Sequence, residues 1–70
     1  MPELFEDWLV ELAKTENYSA LDKLPEYLSG QYAKAGNAIA ERNRLASYFQ
    51  NYGPHSPFSG LVLEAILSSA

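Results

Sequence analysis

From Glu26 to Tyr52 the chain runs without a proline, and its apolar residues return every three or four positions. Leu28, Tyr32, Ala35, Ile39, Ala46 and Phe49 keep the helical period, and Gly53-Pro54 follows as a stop. An unbroken helix over that stretch would run about 40 Å. A compact chain of 70 residues has a radius of gyration of about 11 Å and a diameter of roughly 28 Å. The helix must therefore bend, break, project beyond its own domain or pack on another chain. Gly30 and Gly36 lie near one end of it, and each weakens a helix by about 1 kcal/mol relative to alanine. The expected break falls between them.

The flanking segments are helical by the same criteria. In the first, Leu4, Phe5, Trp8, Leu9 and Leu12 share one arc, with Met1 beside them. Glu3, Asp7, Glu11 and Lys14 take the other side, with Glu6 and Val10, and Pro2 suits the first turn. Trp8 is expected to contribute most to the core. A short second helix has Ser19 as its expected N-cap and Asp22 as a weak capping-box partner. Leu24 is expected to end a turn, because the residue before a proline is pushed out of helical geometry, so that Pro25 opens the next helix. Gly53 is expected to take the left-handed C-cap of the long helix. Ser56-Pro57 reads as N-cap and first residue of a last helix that is apolar nearly all round. The result is an all-α fold: one domain over residues 1–70, a small bundle of three to four helices at about 2–16, 19–29, 31–52 and 57–68. The long third helix is expected to bend near Gly30–Gly36.

A chain this short has a marginal core, and without cysteine neither a disulfide nor a thiolate metal site can staple it. Oligomerisation is the remaining remedy, and a last helix apolar on all sides wants more cover than one small chain offers. Phe58, Leu61, Leu63, Ile66 and Leu67 are therefore the candidate interface of a homo-oligomer. No apolar run reaches the ~20 residues that cross a bilayer. The first residues are acidic where a signal peptide would be basic, which points to the cytoplasm of a cell or infected host cell and away from the membrane.

The net charge is −4, with −5 on residues 1–26 and +1 on residues 27–70. That distribution disfavours direct contact with nucleic-acid phosphates, which want a basic stripe. Chemistry-bearing motifs are scarce. His55 is the only histidine and sits in a turn, Ser56 and Ser59 have no nucleophile turn around them, and the four glycines are too scattered to cradle a phosphate. No catalytic, metal-binding or cofactor-binding residues are assigned, and no cofactor is expected.

The candidate partner-binding residues are Glu6, Asp7 and Glu11 on the acidic face, with Arg42, Arg44, Tyr48 and Tyr52 on the long helix. Arg42 falls inside the apolar arc. Either its head snorkels to water or it pairs with a carboxylate of the first helix. Tyr48 points away from the arc, and tyrosine and arginine are enriched where binding energy concentrates. The leading functional expectation is a small non-catalytic module that binds another protein, as adaptor or regulator. The alternative is an acidic inhibitor or nucleic-acid mimic that blocks a basic groove. In size, acidity and helical character alone the chain resembles phage counter-defence proteins of the anti-CRISPR or anti-restriction kind.

Overall fold

The computed structural model describes residues 4–69. They form four helices: α1 (Phe5–Lys14), α2 (Tyr18–Ala35), α3 (Ala38–Tyr52) and α4 (Pro57–Ser68). The all-α bundle expected from periodicity is what forms, but the boundaries of its first three helices differ. The long segment is cut at Gly36-Asn37 into α2 and α3. Gly36 takes the left-handed conformation at φ 80°, and Asn37 accepts the Ala40 amide at 3.1 Å as the cap of α3. The cut keeps α2, about 27 Å long, inside a body measuring 29 × 24 × 23 Å with a radius of gyration of 10.8 Å.

Neither Pro25 nor Gly30 breaks the chain, since α2 runs through both and merges the second helix with the start of the third. Pro25 lies on the solvent face. Leu24 and Leu28 on either side are wholly buried. Burying two leucines gains roughly 3–6 kcal/mol, which offsets the ~3 kcal/mol that an interior proline costs. The cap of α2 is Asn17, whose Oδ1 accepts the Ala20 amide at 3.0 Å, and not Ser19.

Leu4 is extended at the head of α1. The expected start at Pro2, with Met1 and Glu3, lies outside the described residues. At its other end α1 closes in a Schellman motif. The Glu16 amide donates to the Ala13 carbonyl at 3.3 Å and the Asn17 amide to Leu12 at 3.2 Å. Glu16 stands at φ 50° to make this turn. Gly53 is extended at φ −79°, not left-handed. It is needed for closeness instead, since a Cβ there would lie 2.5 Å from the Phe49 carbonyl oxygen. Ser56 caps α4 by accepting the Ser59 amide at 3.2 Å.

The core centres on Leu9, Leu24, Leu28, Leu45, Val62 and Ile66, none of which keeps any exposure. The last helix packs against all three others, which answers the cover its composition demands. Tyr32 is buried with them, and its hydroxyl donates to the Ile66 carbonyl at 2.8 Å. Burial raises the phenol's pKa. Among the described residues no helix is long and apolar enough to cross a membrane.

Candidate functional site

The first turns of α1 and the second half of α2 do not close on one another. Between them lies an open groove of about 450 Å³, lined by Phe5, Trp8, Tyr27, Gly30, Gln31 and Lys34. Trp8 forms one wall, with its ring 5.4 Å from Phe5 and 5.5 Å from Tyr27, the latter edge-on at 87°. Trp8 thus sits at the rim of the core and is only half-buried, where the sequence led us to expect the largest contributor to the core. Tyr27 keeps 43% of its surface. Gly30 leaves the α2 side without a side chain, and a Cβ added there would meet nothing within 4 Å.

A polar network ties this groove to α3. Gln31 donates from Nε2 to Glu41 Oε2 at 2.8 Å. Arg44 donates from Nε to Glu41 Oε1 at 2.8 Å and from Nη2 to Oε2 at 2.7 Å. The same guanidinium reaches Glu6 on α1, with Nη1 2.9 Å from Oε2 and Nη2 3.3 Å from Oε1. These hydrogen bonds from Arg44 hold both Glu6 and Glu41 below the usual glutamate range, against the opposing pull of burial. Gln31 adds to the effect at Glu41. The two carboxylates in turn raise the arginine's pKa. Next to this network Tyr48 donates to Asp7 Oδ1 at 2.5 Å, and that bond pushes the phenol up to about 12.

The nominated residues therefore divide. Glu6 with Arg44, and Asp7 with Tyr48, are brought together as internal braces between α1 and α3. Glu11 is exposed and joins neither pair. Tyr52 is 65% exposed and packs its ring 4.6 Å from Tyr48. The ion pair to the first helix is made by Arg44 and not by Arg42. Arg42 is half-buried, and its Nε and Nη2 bond to the neighbouring Asn43 Oδ1 at 3.3 and 3.2 Å. Of the proposed oligomer face, Phe58 and Ile66 are buried in the chain's own core and cannot reach a second chain. Leu63 is half-buried, and Leu61 and Leu67 remain on the surface.

Sequence reasoning read Gly30 only as a weak point of a helix and did not nominate it, Gln31 or Lys34 for a site. Their signal was present, because Lys23, Tyr27, Gly30 and Lys34 recur at helical spacing. Treating Pro25 as a helix start and Gly30 as a break cut that stripe apart. Glu41 was not nominated either, and it is 8% exposed beneath Arg44. No family model matches the chain, and neither a curated protein nor a solved structure matches it.

Proposed function

We propose that this chain is a small non-catalytic interaction module, an adaptor or regulator that docks a segment of a partner protein in the α1–α2 groove. The observation that carries the reading is Gly30. A glycine inside a helix costs about 1 kcal/mol relative to alanine. Here it has no packing reason, since alanine would touch nothing. What glycine keeps is space in a groove walled by three aromatic rings. Aromatic side chains of that kind anchor protein interfaces.

The other readings have less behind them. An acidic inhibitor would present Glu6 and Asp7 outward, yet both are engaged within the fold. A homo-oligomer built on α4 would rest on Leu61, Leu63 and Leu67 once Phe58 and Ile66 are inside. The test is capture from the native host with the wild-type chain and with Gly30→Leu as baits. The groove reading expects a partner that the wild type retains and the folded Gly30→Leu chain loses. Equal retention by both baits would overturn it.

A further inference from the structure

We propose that the groove takes an acidic amphipathic helix, whose apolar residues lie on Trp8 and Tyr27 over Gly30 and whose carboxylates seat on Lys34 and Lys23. The inference rests on the docking role of the groove and adds the chemistry of the partner. Lys23, Tyr27, Gly30 and Lys34 stand at i, i+4, i+7 and i+11 of α2, and all four are exposed. They form one stripe along the helix, with a lysine at each end about 16 Å apart. Asp22 and Glu26 fall about 110° and 70° around the helix from the centre of the stripe, and Glu26 flanks it at i+3 from Lys23.

The chain as a whole is acidic, so its own carboxylates would be expected to pair with these lysines. Among the described residues neither lysine makes an ion pair. Among the described residues the ion pairs are those of Arg44, which holds Glu6 and Glu41, the two glutamates tied to the groove's underside. Gln31, which lines the groove, donates to the same Glu41. Glu6 and Glu41 are thereby bound inward, and the Lys34 charge at the groove's rim is left facing out. An aromatic trough with Lys34 on its rim and Lys23 one turn before Tyr27 on the same stripe is complementary to a helix that carries apolar residues in its middle and carboxylates about three turns apart.

The probe is a synthetic helical peptide of about 18 residues, with leucine and phenylalanine at its centre and glutamates flanking them at i and i+11. A matched peptide carries lysines in place of the glutamates. Amide shifts of the full chain are followed as each is titrated to about 1 mM, the weak end of useful affinities. The glutamate peptide is expected to move Trp8, Tyr27 and Gln31 and to bind about tenfold or more tighter than the lysine peptide. Lys34→Glu, which leaves Lys23 in place, should level the two peptides, Lys23→Glu combined with Lys34→Glu should invert their order, and Gly30→Leu should abolish both. Should Gly30→Leu not fold, the inversion by the exposed Lys23→Glu and Lys34→Glu pair decides alone. Equal binding of both peptides, lost in Gly30→Leu, overturns the acidic partner and leaves the groove standing. Shifts elsewhere that survive Gly30→Leu overturn both readings. No shift with the glutamate peptide overturns the acidic helix, while the groove is judged by the capture experiment. Concentration-dependent self-association that Gly30→Leu removes would make a second copy the occupant, and would also overturn it.

Discussion

Arg44 and Glu6 stand 38 residues apart in the chain and meet with Nη1 2.9 Å from Oε2. The contact ties the first turn of α1 to the middle of α3. Because the same guanidinium grips Glu41, and Glu41 accepts from Gln31, one arginine fixes three helices around the groove. An arginine suits this place because its planar fork offers donors to two carboxylates at once.

Replacing Arg44 with methionine should therefore cost about 2 kcal/mol, because Glu41 and Glu6 lose their partner. The figure is set below the cost of breaking a fully buried pair because the Arg44 side chain is 47% exposed and water screens it. Arg42→Met should stay within about 0.5 kcal/mol of wild type. Urea denaturation of both variants checks the pair. Equal losses would mean that the network contributes nothing beyond any surface arginine.

The bundle was legible in the sequence because apolar spacing, Gly36 and Ser56-Pro57 all carry local rules, while the Asn17 and Asn37 caps went unread. Pro25 was misread because local rules describe a helix without its neighbours. Leu24 and Leu28 are held from outside by the core, and that packing is invisible in a window of residues. The ion pair of Arg44 was not foreseen for a related reason, and of the two readings of Arg42 the pairing with the first helix is not the one that forms. A helical wheel ranks Arg42 as the inward arginine, but it cannot say which carboxylate a crossing helix brings alongside. The groove was missed because aromatic residues on an apolar arc look the same whether they fill a core or line its edge.

Acid should weaken the fold through the same network. Glu6 and Glu41 sit below their ordinary value of 4.5 in the folded chain. Their contribution is present above about pH 4.5 and is lost as pH falls through the depressed folded values. Glu6→Gln should be less stable than wild type near neutrality, and the two melting curves should converge in strong acid. Parallel curves down to the lowest pH would exclude this linkage.

The Tyr48–Asp7 bond acts at the other end of the scale. The phenol is raised from its ordinary 10.0 to about 12 because the folded chain uses its proton. A raised folded pKa gives stability that is full below about pH 10 and is lost as pH climbs through about 12. Tyr48→Phe should lower the melting temperature at neutral pH and remove part of the alkaline loss. Melting in buffers from about pH 9 upward tests this, and an unchanged alkaline slope would sink it.

Glu16 carries the turn between α1 and α2 in a left-handed conformation that glycine adopts without strain. Glu16→Gly keeps both Schellman hydrogen bonds and relieves about 1 kcal/mol, less what glycine gives back in unfolded-chain entropy. A small net gain in thermal stability is expected, and Glu16→Val should be clearly less stable than either. If valine matched the wild type, the turn would not be holding the conformation described.

Three glycines should respond to alanine in three ways. Gly30→Ala is expected to stabilise the chain by about 1 kcal/mol, since the new methyl meets nothing and the helix gains propensity. For a domain of this size that is a rise of roughly 4–8 °C in Tm. Gly36→Ala is expected to lose about 1 kcal/mol, because φ 80° strains any residue with a Cβ even though the space around it is open. Gly53→Ala should lose more than that, since the Cβ would stand 2.5 Å from the Phe49 carbonyl oxygen and 3.2 Å from its ring, and backbone cannot step aside as a side-chain tip can. Thermal melts of the three variants give the order directly. The informative member is Gly30. A loss of stability there would mean that α2 needs glycine for its own packing, and the case for a groove kept open for a partner would fall with it.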